Sequence, residues 1–159
     1  CDVIQEGSGT VTSPGFPNYY ENNENCTYTL NADAGKIIRI TFYSFTVEYC
    51  DFCGCDVLTI LGNSYCGENF GDGTHGGPPS RTIDIDQESA VLTWTTDYSV
   101  TRTGFNFTWE SVCEATINDS IVSCNRGNMI IEVPVCALEE NNINPNGVYM
   151  GKNASFNSS

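Results

Sequence analysis

Basic residues are scarce in this chain. It contains 6 lysines and arginines and 1 histidine against 20 acidic residues, which gives a formal net charge of −14 at pH 7. The phosphates of nucleic acids repel a surface of this sign, so the composition argues against a nucleic-acid partner. It favours cations and basic proteins instead.

Long apolar runs and catalytic motifs are also missing. No window approaches the roughly 18 apolar residues of a membrane span, and no charged and then apolar leader opens the chain, so we expect it to begin after any signal peptide. There is no Gly-x-Ser-x-Gly elbow and no zinc-binding helix motif. His75 lies in a glycine- and proline-rich stretch, where we expect a solvated loop residue without a catalytic role. We therefore predict that the protein is not an enzyme.

Cysteine, in contrast, is abundant. Structural zinc sites use paired Cys-x-x-Cys or Cys/His clusters in register, and the 9 cysteines of this chain, with its 1 histidine, do not form such a set, so they predict disulfide bonds. Asn-x-Ser/Thr triplets are frequent as well, which is typical of a secreted glycoprotein. These candidate glycosylation sites are Asn25, Asn106, Asn118, Asn153 and Asn157. Together the two features predict a secreted protein of a matrix, a coat or the cell surface.

Apolar and polar residues alternate through most of the first 112 residues. Ile38, Ile40 and Phe42, for example, are separated by single polar residues, which is the pattern of a half-buried strand. Gly, Pro, Asn and Asp separate such segments, and none has helical spacing. The pattern predicts an all-β, antiparallel sandwich. The other alternating segments lie at residues 27–30, 58–60, 83–85, 90–95 and 105–109.

Residues 45–60 combine cysteines and acids between two apolar segments. Cysteines occupy positions 50, 53 and 55, and Glu48 and Asp56 lie on either side of them. A loop held by disulfides can fix several carboxylates, and Ca²⁺ prefers several oxygen ligands in irregular geometry. The alternative is that Glu48, Asp51 and Asp56 are ordinary solvated loop acids. The local pattern alone leaves both interpretations open.

A series of motifs extends over residues 1–113. They are Cys1, Ser-Pro-Gly-Phe-Pro-Asn-Tyr-Tyr at 13–20, Cys26, Gly-Lys-Ile-Ile-Arg-Ile at 35–40, Phe-Thr-Val-Glu at 45–48, Cys-Gly-Cys-Asp-Val-Leu-Thr-Ile at 53–60, Tyr-Cys-Gly at 65–67, Thr-Asp-Tyr-Ser at 96–99 and Gly-Phe at 104–105. In this order and spacing they resemble a CUB domain. The resemblance implies an antiparallel jelly-roll β-sandwich of two sheets and an extracellular, non-enzymatic role in protein–protein interaction.

The resemblance also implies two disulfides. The recurring bridges of such domains correspond here to Cys1 with Cys26 and Cys53 with Cys66. This chain departs from the pattern by an additional pair inside the acidic loop. We expect Cys50 and Cys55 to bridge each other, which is feasible if the chain turns between them.

Many CUB domains bind calcium, and the residue types that this requires are present. By resemblance the ligands are Glu48, Asp56 and Asp97, with Tyr20 supporting the glutamate and a backbone carbonyl near Ser99 and water completing the coordination. Asp97 is distant in sequence, so its presence is independent of the local acidic cluster. We therefore predict a Ca²⁺ site.

The resemblance further suggests how the site is used. In several members a lysine or arginine of the partner contacts the carboxylates beside the calcium, next to an aromatic wall, which here would be Tyr20, Tyr49 or Tyr98. One alternative is a purely structural role in a glycosylated matrix protein. Another is carbohydrate binding through exposed aromatics, for which Tyr19, Tyr49 and Tyr98 are the candidates.

Residues 114–159 differ in composition and read as a linker followed by a partial β domain. Val-Ser-Cys at 122–124, Met-Ile-Ile-Glu-Val-Pro at 129–134 and Val-Tyr-Met-Gly at 148–151 resemble the start of a zona pellucida (ZP-N) module, an immunoglobulin-like polymerisation unit. The resemblance implies self-assembly; the alternative is a β linker without such a role.

This tail departs from the module at two positions. Phe156 stands where such modules usually have a cysteine, and Cys136 is unexpected. Cys113, Cys124 and Cys136 are an odd number, so we expect at least one of them to pair beyond residue 159 or with another chain.

Overall fold

The structure is a computed structural model that describes residues 1–68, 70, 77–114, 121–125, 128–132 and 135–140. The predictions for His75, Asn118, Asn153, Phe156 and Asn157 lie outside the described residues. The chain divides into two compact units, Cys1–Val112 and Cys113–Ser159.

The first unit is a sandwich of two β-sheets. One sheet has the strand order β1-β3-β8-β5-β6 and the other the order β2-β9-β4-β7. Neighbouring strands run antiparallel, apart from the parallel pair β1 and β3. The strands are β1 Val3–Glu6, β2 Ser8–Thr12, β3 Asn25–Asn31, β4 Ile37–Thr46, β5 Val57–Ile60, β6 Asn63–Tyr65, β7 Thr82–Ile85, β8 Ser89–Thr95 and β9 Gly104–Val112. The predicted all-β jelly-roll sandwich is confirmed.

The core forms where the apolar positions of the two sheets face each other. Along β4, Ile38, Ile40 and Phe42 are buried, while the intervening side chains are partly exposed. Trp94 of β8 and Phe105 of β9 meet across the sandwich with ring centroids 5.3 Å apart in an edge-to-face arrangement. Because successive side chains of a strand point to opposite faces, the alternation read in the sequence becomes one continuous apolar layer.

Three strands were not predicted, and all of them are edge strands. β1 and β6 flank the five-stranded sheet, and β2 flanks the four-stranded sheet. Of the side chains of β2, only Val11 is buried. An edge strand that buries so little has no alternating pattern to detect, since its register comes from pairing with its neighbour.

The second unit contains a hairpin and a short helix among its described residues. β10 Ile121–Asn125 pairs antiparallel with β11 Asn128–Glu132, and α1 spans Val135–Glu140. Cys113 is bonded to Cys136, so both of these cysteines have partners within the chain. The helix was not predicted. No helix of the described residues is long and apolar enough to cross a membrane.

Candidate metal centre

Strand register brings two of the predicted ligands together. Val57 of β5 pairs with Thr95 of β8, so the residue before β5 lies beside the residues after β8. These residues are Asp56 and Asp97, and the backbone N–H of Asp97 donates a hydrogen bond to Asp56 Oδ1 at 2.8 Å. Two acids that are 41 positions apart in the chain are thus neighbours.

Tyr20 connects Asp56 to the third acid. Its hydroxyl donates to Asp56 Oδ2 at 2.6 Å and accepts a hydrogen bond from the backbone N–H of Glu48 at 3.0 Å. The side chain is only 2% exposed, and its ring packs edge-to-face on Trp94 at 5.0 Å. One buried side chain therefore holds the segments before β5 and after β4 in a common position.

The three carboxylates form a compact cluster. Oxygens of Glu48, Asp56 and Asp97 lie within 4.8 Å of one another. Asp56 is completely buried, and Glu48 Oε2 is buried without a hydrogen-bond partner. A buried anionic oxygen without a partner is costly, so this arrangement calls for a cation.

The pKa values of the clustered carboxyl groups also indicate a cation site. Burial raises the pKa of Glu48, and the charges of Asp56 and Asp97 raise it further, while Arg102 partly offsets the rise. The pKa of Asp56 is raised by its burial, against the opposing hydrogen bonds from Tyr20 and the Asp97 backbone. The negative charges destabilise one another as they stand, and a divalent cation would remove that repulsion.

The donor set fits a hard cation such as calcium. Glu48, Asp56 and Asp97 offer only carboxylate oxygens, whereas zinc sites use mainly sulfur and nitrogen ligands. The N–H of Ser99 donates to Asp97 Oδ1 at 2.8 Å and so orients this carboxylate. A ligand role for a carbonyl near Ser99 stays a prediction.

The additional disulfide lies directly beside this cluster. The structure bonds Cys50 to Cys55, and their sulfurs lie within 4.8 Å of a carboxylate oxygen of Glu48. Because the sulfurs are bonded to each other, they are not available as thiolate ligands. We call residues 50–55 the staple loop. The two bridges implied by the resemblance are also present, Cys1 with Cys26 and Cys53 with Cys66.

The candidate aromatic residues divide into exposed and buried ones. Tyr98 is 80% exposed, and Tyr19 and Tyr49 are also exposed. Tyr20 belongs to the core, so its predicted role as an aromatic wall for a partner does not fit. Its ring is packed in the core, so neither face of the ring is open to a partner. Its hydroxyl contacts Asp56 and the backbone of Glu48.

Two residues near the cluster were not singled out in the sequence. Arg102 lowers the pKa values of Glu48 and Asp56, and its carbonyl accepts a hydrogen bond from the Tyr20 N–H at 3.0 Å. The sequence around a single arginine in a loop does not indicate that it lies near the acidic cluster. The other residue is Phe52 at the tip of the staple loop, which is fully exposed.

Two of the sequon asparagines lie in the first unit. Asn25 is exposed at the start of β3, and Asn106 is half-buried on β9, where it pairs with Ser44 of β4 and Thr12 of β2. Glycosylation of either residue stays a prediction.

Comparison with known proteins identifies the fold family. The family model described as CUB domain matches residues 1–109, which is more than half of the chain. The chain belongs to the CUB domain family. Human cubilin is 34% identical over 117 residues, which cover 69% of this chain and 3% of cubilin. The chain therefore spans only a small part of this relative.

Solved structures of other proteins are also similar to this chain. The full extracellular region of zebrafish Gpr126/Adgrg6 matches with a TM-score of 0.64 and 27% identity, over 78% of this chain and 16% of that one. The MASP-1 CUB2 domain, solved bound to Ca²⁺, matches with a TM-score of 0.56 and 22% identity, over 69% of this chain and 96% of that one. At 22% identity the latter shows the fold alone. None of these matches supports the zona pellucida-like interpretation of residues 114–159, which stays a prediction.

Proposed function

We propose that this CUB domain is an extracellular protein-binding module whose recognition loops are held together by a calcium ion. The observation that carries the proposal is the buried Oε2 of Glu48, which has no hydrogen-bond partner and lies in a cluster with Asp56 and Asp97. An ion bound there would neutralise the cluster and link the segments after β4, before β5 and after β8.

The surroundings of the site suit a basic partner. Asp97 is half-buried and Tyr98 next to it is strongly exposed, so a carboxylate edge and an aromatic face are adjacent. A lysine or arginine of a partner protein would contact this edge. Because the ion has already ordered the acids, less conformational entropy is lost when the partner binds.

An extracellular location is supported by chemistry and by family. Four disulfide bonds require an oxidising compartment to form and persist. The matching region of Gpr126/Adgrg6 is described as extracellular. The tail would add self-assembly if residues 114–159 begin a polymerisation module, and this part of the proposal rests on the sequence resemblance alone.

Thermal unfolding of the full chain with calcium and with a chelator tests the metal site. Calcium should raise the melting temperature of the wild type, since a ligand at 100 times its Kd stabilises by about 2.7 kcal/mol. Asp97→Asn removes one ligand charge and should abolish most of the increase. Asp86→Asn is the matched control, because Asp86 is an exposed acid in the turn between β7 and β8, outside the cluster.

The outcomes separate the candidate roles. An equal calcium effect in wild type and Asp97→Asn would contradict the ligand assignment. If calcium stabilises the protein through Asp97 but binding of a basic partner is the same with and without chelator, the ion has only the structural role. Binding that needs calcium supports the proposed recognition.

A further inference from the structure

The staple loop presents an aromatic side chain to solvent. Phe52 is fully exposed, whereas the other phenylalanines of the described β-strands, Phe42, Phe45, Phe105 and Phe107, are buried. Exposing a phenylalanine forgoes the hydrophobic stabilisation that its burial would contribute. The Phe52 ring therefore contributes nothing to the apolar core of the sandwich.

The backbone of the loop tip is held in an unfavourable conformation. Phe52 has φ 58° and Cys53 has φ 51°, both in the left-handed region that glycine and asparagine adopt most readily. A bulky residue there is an outlier that persists only when its surroundings impose it. Disulfides impose it here, since Cys50–Cys55 closes the loop and Cys53–Cys66 attaches its tip to the buried Cys66.

The loop lies beside the acidic cluster. The sulfurs of Cys50 and Cys55 are within 4.8 Å of a Glu48 carboxylate oxygen, and Asp51, next to Phe52, is exposed. The surface around this loop therefore combines one projecting apolar group with several negative charges. Such a combination is complementary to an apolar pocket with a basic rim.

We propose that Phe52 is a preformed anchor that enters an apolar pocket of a partner protein, beside a lysine or arginine that faces Glu48 and Asp97. This inference rests on the proposed function and specifies the partner's surface. Buried aromatic anchors dominate many interfaces, and a loop fixed by two disulfides loses little entropy on binding. A second copy is a poor occupant, because each copy has a net charge of −14.

A pair of matched variants of the full chain tests the anchor. Phe52→Asn removes the aromatic ring but keeps a residue that tolerates positive φ, so the loop should retain its conformation. Leu61→Asn is the control. Leu61 is 46% exposed with φ 49° in the turn between β5 and β6, outside the staple loop. Thermal unfolding checks that both variants are folded.

The probe is a phage-displayed library of random peptides, selected on immobilised wild-type protein in calcium. Enriched peptides are then synthesised and titrated against the three proteins by fluorescence polarisation. We expect the peptides to combine Lys or Arg with apolar residues. Phe52→Asn should weaken their binding by at least about tenfold, and Leu61→Asn by less than about twofold.

Several results would overturn the inference. They are equal binding by wild type and Phe52→Asn, enrichment of peptides without basic residues, or no enrichment at all. Phe52-dependent binding to phosphatidylserine vesicles would make the loop a membrane anchor instead. Phe52-dependent dimerisation in sedimentation would make a second copy its occupant.

The same titrations separate this inference from the proposed function. Peptide binding that needs calcium but is unchanged in Phe52→Asn leaves the calcium-supported module standing and removes the anchor. Binding that needs Phe52 but survives a chelator supports the anchor and removes the role of calcium in recognition.

Discussion

Tyr20 joins the acidic cluster to the core through one hydroxyl group. That hydroxyl contacts Asp56 and the backbone of Glu48, while the ring packs on Trp94. The hydrogen bond to Asp56 is buried, and the one from the Glu48 backbone is partly buried. We therefore expect Tyr20 to contribute both to the stability of the fold and to calcium binding.

Replacing Tyr20 by phenylalanine should therefore affect both. The change leaves the buried Asp56 oxygen without this donor, and leaving a buried polar group unsatisfied costs about 1–3 kcal/mol of unfolding free energy. The partly buried N–H of Glu48 also loses its acceptor. We also expect weaker calcium binding, because Asp56 loses the contact that orients it. Urea unfolding and calorimetric calcium titration measure the two effects.

Tyr28→Phe is the matched control for this prediction. Tyr28 is also buried, and its hydroxyl donates to the carbonyl of Thr12 at 3.3 Å, a neutral acceptor that is not part of the carboxylate cluster. We expect a smaller loss of stability and unchanged calcium affinity. Equal effects of the two substitutions would show that the Tyr20 hydroxyl has no special role.

Residue identity at the site was largely accessible from the sequence. The resemblance pointed to Glu48, Asp56 and Asp97, and the structure brings them together. The prediction that Tyr20 forms an aromatic wall for a partner was wrong, because the ring is buried. A motif gives the residue type and does not show which side of the sandwich the ring faces. Phe52 had no signal, since its dihedral angle follows from loop closure.

Secondary-structure elements meet closely where β2 ends and β9 begins. The N–H of Phe105 donates to Ser13 Oγ at 3.1 Å, and Ser13 donates its own N–H to the Phe105 carbonyl at 3.0 Å. Gly104 precedes this contact with φ 80°. A Cβ atom at position 104 would collide with the Ser13 side chain.

Gly104→Ala should consequently destabilise the sandwich by about 2 kcal/mol or more. The left-handed conformation costs an L-residue about 1–2 kcal/mol, and the collision adds an overpacking cost of about 1–3 kcal/mol. Chemical denaturation measures the loss. Gly35→Ala is the control, because Gly35 has φ 74° but no atom within 4 Å of the added Cβ. A loss at Gly104 no larger than at Gly35 would contradict the steric argument.

At the level of elements, the central strands and the edge strand β7 were predictable, whereas the edge strands β1, β2 and β6 were not. β4, β8 and β9 bury a side chain at alternate positions, so their sequences carry a period of two. β1 and β6 are short strands at a sheet edge, with mostly exposed side chains. Their strand conformation depends on a neighbour that is remote in sequence.

The whole molecule carries a large excess of negative charge. With 20 acidic and 6 basic residues, the folded state concentrates like charges that the unfolded chain would spread apart. This repulsion lowers stability, and dissolved salt screens it over about 10 Å at 0.1 M.

Sodium chloride should therefore have opposite effects on two quantities. The melting temperature of the metal-free protein should rise with salt, because self-repulsion is screened. The increase that a fixed calcium concentration produces should shrink, because the attraction between the ion and the carboxylates is screened as well. Calorimetric scans with chelator give the melting temperature of the metal-free protein, and scans with calcium give the increase that the ion produces. Choline chloride in place of sodium chloride is the control for specific sodium binding. A calcium increment that is insensitive to salt would argue against the carboxylate cluster as the binding site.

The sequence by itself determined the class of the protein. Its alternating apolar positions, abundant cysteines, acidic charge and spaced CUB motifs pointed to a disulfide-bonded sandwich with a candidate calcium site, because each of these signals is local or compositional. Only the tertiary structure decided that Tyr20 is buried, that Glu48 Oε2 has no partner and that Phe52 is exposed. The register of β5 against β8 places Asp56 beside Asp97, and the disulfides fix the staple loop; such constraints act between positions that no local pattern connects.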